Sequence, residues 1–221
     1  MISQSMQDYL KAIYKLQKGQ AATEAVTTSL VSEKMDVVPA SATNMIKKLA
    51  ELRLVHYTPY RGVGLTDAGE RVALEIIRHH RLLELYLKET LGYSWDSVDA
   101  EAEQLEHVIS EEFEERIDAT LGHPTVGVHG EPIPSKEGEI EQVDYLRLTQ
   151  LQVGQKAVIR QVSDRNPDML RYMETLGLRP EVRVEVWEKN PFNGPLVLKI
   201  DSDKEQVLGL GVADHIYVTV T

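Results

Sequence analysis

The sequence has no cysteine. Disulfides, thiolate nucleophiles and thiolate metal sites are excluded together. It also has no long uncharged apolar run able to span a bilayer, and no signal-peptide pattern at its N-terminus. These absences fit a cytoplasmic protein with no membrane partner. No HExxH, nucleophile elbow or phosphate-binding loop occurs, and no internal repeat. The expectation is therefore a protein that is not an enzyme. What is present is a chain of 221 residues, long enough for more than one small domain with its own core.

An excess of positive charge is also missing. The net charge is −11, which at first argues against nucleic acid. The distribution of the charge reverses that inference. Residues 1–73 carry nine Lys/Arg against seven Asp/Glu, giving +2, and residues 146–221 carry ten of each. Residues 74–145 carry five against eighteen, giving −13. The acidity belongs to the middle of the chain, most of it as solvated helix surface, while a DNA-binding head needs only a local basic face.

Helical periodicity runs over residues 4–17 through Leu10, Ile13, Tyr14 and Leu16. Two further helices are expected at 26–35 and 40–52, the second opened by Pro39 and striped by Ala42, Met45, Ile46, Leu49 and Leu52. Residues 54–57 read as a strand, Arg61–Gly64 as a turn and 63–65 as a returning strand. Thr66 or Asp67 then caps a new helix. This is winged helix-turn-helix order, whose second helix enters the major groove. Its outward positions are Ser41, Thr43, Asn44, Lys47 and Lys48, residues suited to base edges and phosphates. Tyr60 and Arg61 at the hairpin tip are placed to touch the DNA backbone or minor groove.

Long helices are expected at 70–91 and 98–121. A Pro/Gly-rich extended linker follows over 122–140. From about residue 145 the pattern turns to β, with runs at 158–159, 182–186, 196–200 and 216–220, a hairpin signal at Asn193-Gly194, and one short helix over 167–176 ending at Gly177. The fold class is thus mainly α with a C-terminal β domain. The expected domains are a winged helix over 1–72, a helical metal-binding and dimerisation domain over 73–140, and a small SH3-like β-barrel over 145–221.

Two helices carry metal-ligand chemistry. On the first, His80 and Glu84 fall on the apolar stripe formed by Ala73, Ile76, Ile77, Leu83, Leu87 and Leu91. A carboxylate on such a face must be paired or bound to a cation, and a His and a Glu four apart point the same way. On the second, Glu103, Glu106 and His107 border the stripe of Val98, Ala102, Leu105, Ile109 and Phe113. The competing reading of that helix is a surface charge run. Two helices each offering a His and a carboxylate favour metal. Oxygen and imidazole donors without sulfur favour manganese or ferrous iron over a structural zinc site.

The strings Ser5-Met6-Gln7-Asp8-Tyr9-Leu10, Leu65-Thr66-Asp67-Ala68-Gly69, His80-Arg81-Leu82-Leu83-Glu84 and Glu103-Gln104-Leu105-Glu106-His107 carry a resemblance across nearly the whole chain. They resemble the diphtheria-toxin-repressor-like family of metal-dependent regulators, with a C-terminal domain like that of ferrous-transport A proteins. The resemblance implies a homodimer and metal-activated binding to a palindromic double-stranded DNA operator. It implies a primary metal site of Asp8, Glu103, Glu106 and His107. Carboxylates at Asp8 and Glu103, where iron-responsive members carry Met and Cys, resemble the manganese-responsive branch. An ancillary site would join His80 and Glu84 to His129 and Asp164, with Asp168 as the alternative to Asp164. The competing readings are a loop histidine and a helix-capping aspartate. Two departures stand out: Lys11 sits where shorter manganese regulators have a second acid, and Asp99 where iron-type members have a histidine.

The function expected is manganese-dependent or iron-dependent transcriptional regulation of metal homeostasis. The rivals are a metal-independent winged-helix regulator with a protein-interaction domain and a metal-dependent hydrolase.

Overall fold

The computed structural model describes residues 2–19, 25–141, 143–163, 166–201 and 204–221. The chain forms two compact units. The first comprises Met1–His80, Glu103–Glu114 and Pro134–Glu139, and the second Arg81–Ala102, Glu115–Ile133 and Ile140–Thr221.

In the first unit, α1 (Gln4–Gly19) buries Tyr9, Leu10, Ala12, Ile13 and Tyr14, together with one charged residue, Lys11. It packs on α2 (Thr28–Lys34), on α3 (Pro39–Glu51) and on the wing. The Thr27 side chain caps α2 by accepting from the Leu30 amide at 3.2 Å. Pro39 opens α3, where its missing N–H costs nothing. Ala42, Ile46 and Leu49 then recur at helical spacing and are fully buried. The wing is an antiparallel hairpin of β1 (Val55–Thr58) and β2 (Gly62–Leu65), with Val55 opposite Leu65 and Thr58 opposite Gly62.

Helix α4 (Asp67–Glu89) begins where Thr66 Oγ1 accepts from the Gly69 amide at 3.2 Å. Position 69 admits only glycine, because a Cβ there would lie 1.9 Å from the Leu54 carbonyl oxygen. That contact sets the helix directly against the base of the wing.

The single helix expected over 98–121 is two helices, α5 (Val98–Leu105) and α6 (Glu111–Thr120). The break has identifiable causes. Ser110 Oγ accepts from the Phe113 amide at 3.2 Å and starts a new helix. Glu111, Glu112 and Glu114 favour the positive end of α6, whereas acids near the C-terminus of α5 oppose its dipole. Val108 and Ile109 are β-branched and resist helix at the joint. The expected continuous apolar stripe is accordingly interrupted: Val98 and Ala102 are buried, Leu105 and Ile109 are half-buried, and Phe113 is exposed.

The second unit corrects two further expectations. Residues 125–133 are not an extended linker. The Gly127 amide donates to the Glu131 carbonyl at 2.7 Å and the Ile133 amide to the Thr125 carbonyl at 2.8 Å. Val128, His129, Glu131 and Ile133 are buried. The sequence signal was misleading because Pro and Gly serve here to let the backbone approach its neighbours. At Gly130, with φ +94°, a Cβ would lie 1.9 Å from the Arg160 carbonyl oxygen.

The C-terminal β region is an open antiparallel sheet, not a closed barrel. Its strands are β3 (Leu146–Arg147), β4 (Lys156–Val162), β5 (Arg183–Lys189), β6 (Leu196–Ile200), β7 (Lys204–Leu208) and β8 (Ile216–Val220). They lie in the order β3-β8-β4-β5-β6-β7. The edge strand β3 has only two residues, so it offers too little ladder to close the sheet. Helix α7 (Pro167–Leu176) follows β4, capped by Asn166 and ended by Gly177 in the left-handed region; α8 (Leu210–Ala213) is a single turn.

Candidate metal centre and DNA-reading face

Asp8 and Lys11 lie three apart on α1, so both side chains project from one side of the helix. Glu106 and His107 follow the end of α5, in the turn that separates it from α6. Asp8, Glu106 and His107 each present one donor atom, and the three atoms lie within 4.8 Å of one another. His107 Nε2 is 2.7 Å from Asp8 Oδ1 and 3.4 Å from Glu106 Oε1. Asp8 Oδ1 is buried and makes no aligned hydrogen bond despite that proximity.

His107 Nδ1 lies 2.8 Å from Gln7 Oε1, within hydrogen-bond distance. With Nδ1 protonated toward Gln7, Nε2 is the ring nitrogen that would bind a cation beside the two carboxylates. Three possible ligand atoms that converge, with the opposite ring nitrogen held by a neighbouring side chain, form the arrangement of a cation site. The donor set fits a hard divalent cation such as manganese or ferrous iron.

Glu106 is fully buried. Burial disfavours its charge, but a hydrogen bond from His80 Nδ1 at 2.5 Å and the nearby Lys11 ammonium outweigh it. The carboxyl is held below the usual glutamate range. Lys11 Nζ donates to Glu106 Oε1 at 2.9 Å, to Glu106 Oε2 at 2.7 Å and to Glu103 Oε2 at 2.7 Å. Burial opposes the Lys11 charge, yet Glu106 and Glu103 together raise its pKa above the ordinary lysine value. Asp8 behaves in the opposite way. Burial pushes its carboxyl up, the His107 ring pulls it down, and Glu103 and Glu106 add to the rise.

A second buried chain supports the Glu106 backbone. His79 Nδ1 donates to the Glu106 carbonyl at 3.0 Å, and His79 Nε2 faces Glu114 Oε2 at 3.3 Å. Arg78 Nε donates to Glu114 Oε1 at 2.6 Å, and Arg78 Nη1 to the Pro134 carbonyl at 2.9 Å. Sequence reasoning missed His79, Glu114 and Gln7. The available signal for Gln7 was its place beside Asp8; His79 and Glu114 read as ordinary polar residues because their partners are distant in sequence.

Of the eight residues singled out as metal ligands, the structure brings Asp8, Glu106 and His107 together. Glu103 is half-exposed and paired to Lys11. His80 sits in the first unit with Glu106 and Lys11. Glu84 and His129 lie in the second unit, both buried, with His129 Nδ1 3.6 Å from Glu84 Oε1. His129 Nε2 donates to the Trp95 carbonyl at 3.2 Å, and its own carbonyl accepts from the Val162 amide at 2.9 Å. Asp164 lies outside the described residues. Asp168 is exposed and paired to Arg171, which also pairs with Asp96. Asp99 belongs to the first turn of α5.

On α3, Ser41, Asn44, Lys47 and Lys48 are exposed. Thr43 is half-buried, and its hydroxyl donates to the Pro39 carbonyl at 2.9 Å, which turns it back onto its own helix. At the wing tip Tyr60 is fully exposed with φ +65°, beside exposed Arg61.

Residues 1–63 match the N-terminal DNA binding domain of iron dependent repressors. Residues 66–135 match the iron dependent repressor metal binding and dimerisation domain, and residues 146–220 the FeoA domain. A solved manganese-dependent transcriptional repressor in complex with manganese is 38% identical, with a TM-score of 0.90 over 98% of this chain and 100% of that one. The chain belongs to the diphtheria-toxin-repressor-like family of metal-dependent transcriptional regulators. Two curated relatives mark its span within that family. The iron-dependent repressor IdeR of Mycobacterium tuberculosis is 29% identical over 204 residues, covering 86% of each chain. The regulator MntR of Oceanobacillus iheyensis is 35% identical over 112 residues, covering 50% of this chain and 72% of that one. Among the described residues no helix is long and apolar enough to cross a membrane.

Proposed function

We propose that this protein is a manganese-dependent transcriptional regulator that binds a palindromic DNA operator as a homodimer, in the cytoplasm, and acts by binding rather than by turnover. Ferrous iron is the alternative activating ion. The observation that carries the reading is the convergence of Asp8 Oδ1 and His107 Nε2 at 2.7 Å in the same unit as a winged helix with an exposed basic reading helix.

Asp8, Glu106 and His107 are the residues that would hold the ion. Once bound, the ion supplies a link between donors from α1 and donors from the α5–α6 turn. The rest is done by the chain. Asp8 lies on α1, and α1 packs on α2, α3 and β2, the elements of the DNA-reading head. Gln7 holds the His107 ring so that Nε2 faces Asp8. His79 anchors the Glu106 backbone. Fixing Asp8 against that turn restrains α1, and through it the reading helix. The ion activates DNA binding only to the extent that it binds the DNA-competent arrangement more tightly than the alternatives. In a dimer, two reading helices restrained about one helical turn of DNA apart engage both half-sites together.

Glu84 and His129 are a candidate ancillary site in the second unit, resting on two buried donors at 3.6 Å. A mobility-shift experiment on the upstream region of the protein's own gene tests the function, run with chelator, manganese, iron and zinc in turn. Retardation with manganese or iron and none with chelator is expected. Equal retardation in all four contradicts the reading.

A further inference from the structure

Trp95 lies buried in the turn between α4 and α5, within the second unit. The Ser97 amide donates to the Ser94 carbonyl at 3.0 Å and closes that turn around it. The next residue, Asp96, pairs with Arg171 of α7, which anchors the turn. Trp95 meets the 125–133 segment three times. Its indole Nε1 donates to the Val128 carbonyl at 3.3 Å. Its ring lies 5.3 Å from the His129 imidazole, centre to centre, at an interplanar angle of 37°. Its carbonyl accepts from His129 Nε2 at 3.2 Å.

We propose that Trp95 is the positioning residue of the Glu84–His129 pair, holding His129 in the tautomer and orientation in which Nδ1 takes a divalent cation shared with Glu84. The proposal rests on the reading of Glu84 and His129 as an ancillary site and deepens it: it names the donor atom and the side chain that aims it.

The contact with the Trp95 carbonyl sets the tautomer. A backbone carbonyl has no proton to give, so a hydrogen bond to it places the proton on Nε2. The neutral ring then carries its lone pair on Nδ1. That atom is buried, has no hydrogen-bond partner among the described residues, and lies 3.6 Å from Glu84 Oε1. The separation is too long for a hydrogen bond. It is close to the spacing of two ligands on one ion, since donors each about 2.1 Å from a metal stand roughly 3–3.5 Å apart. A ligating histidine whose other ring nitrogen is held by a carbonyl is fixed in both tautomer and direction.

The indole adds what the carbonyl alone does not supply. A buried Trp N–H needs an acceptor, and here the acceptor is the backbone of the residue just before His129. On the other side the His129 carbonyl accepts from the Val162 amide of β4 at 2.9 Å. The backbone that carries the imidazole is thus held from two directions, by β4 and by Trp95. A phenylalanine at 95 fills much of the same space but cannot donate, so it separates positioning from packing.

The test follows manganese binding to the full-length chain by electron paramagnetic resonance, in wild type, His129→Ala and Trp95→Phe, each checked for folding by circular dichroism. His129→Ala should lose one binding step, which identifies the step that belongs to this pair. Trp95→Phe should weaken that same step by about tenfold and leave the other unchanged. A folded Trp95→Phe with that step unchanged, or with both steps weakened alike, overturns the proposal while leaving the ancillary site intact. A second measurement needs no Trp95 variant. Nitrogen NMR of 15N-histidine-labelled wild type uses zinc as a diamagnetic probe, with the His129 signals identified by their absence in His129→Ala. Nε2 should stay protonated throughout and Nδ1 should shift with zinc; a shift at Nε2 instead overturns the proposal. His129→Ala that binds as much manganese as wild type overturns the ancillary-site reading and the proposal with it.

Discussion

The Lys11 ammonium touches both carboxylate oxygens of Glu106, at 2.9 and 2.7 Å, in a site where neither side chain is more than marginally exposed. Breaking a buried pair from one side strands the other charge, at a cost of several kcal/mol. Lys11→Gln should therefore lower metal-free stability by about 3 kcal/mol in urea unfolding with chelator present. Manganese should restore more of that stability in the variant than it adds to wild type. A metal-free loss below about 1 kcal/mol would show that His80 alone is sufficient for Glu106.

Gln7 is placed to fix the tautomer of His107 without being a ligand itself. Removing such an outer partner lowers metal affinity by roughly 10–100-fold. Gln7→Leu should show that loss by titration calorimetry with manganese, with unchanged unfolding in chelator. An unchanged affinity contradicts the positioning role.

The reading helix divides its exposed residues between two tasks. Lys47 and Lys48 are suited to phosphates and Asn44 to a base edge. Lys47→Ala or Lys48→Ala should weaken all DNA sequences alike and reduce the salt slope of binding by about 1 each. Asn44→Ala should instead relax preference at one base pair. Thr43→Val should do little, since its hydroxyl is already committed to the Pro39 carbonyl. Loss of sequence preference in the lysine variants would reverse these assignments.

Glu106 also gives metal-free stability a pH dependence of known sign. Its folded pKa is depressed, so its contribution is fully present above the ordinary glutamate value and is lost as pH falls through the lower folded value. Unfolding midpoints in chelator should thus fall with acid below about pH 4.5. In Glu106→Gln that part of the fall should be absent. Equal slopes in the two proteins would contradict the assignment.

Much of the DNA-binding head was legible in the sequence. Pro39 and the spacing of Ala42, Ile46 and Leu49 fix α3 locally, and Asn193-Gly194 lies between the strands it was expected to join. Helix α7 was legible for the same reason, bounded by Pro167 and Gly177. Three features were not. The break at Glu106–Ser110 depends on Ser110 capping and on charge at two helix ends, which an apolar stripe does not register. The burial of 125–133 depends on Gly130 meeting Arg160, thirty residues further along. The two-residue strand β3 and strand β7 carry too little apolar alternation to be recognised. At the candidate centre, residue types and their helices were readable, but partners were not. His80 and Glu84 share one face of α4, yet His80 meets Glu106 and Glu84 meets His129. Lys11 was visible as a departure from the family pattern; its contacts with Glu103 and Glu106 come only from the fold.

The central claim is that DNA affinity is set by a cation held at Asp8, Glu106 and His107. Fluorescence anisotropy of a labelled operator tests it most directly, titrated with manganese for wild type and for His107→Ala. Wild type should bind DNA only as manganese is added, and His107→Ala should stay unbound throughout, with both proteins equally folded by circular dichroism. A His107→Ala protein that responds to manganese as wild type does would contradict the account.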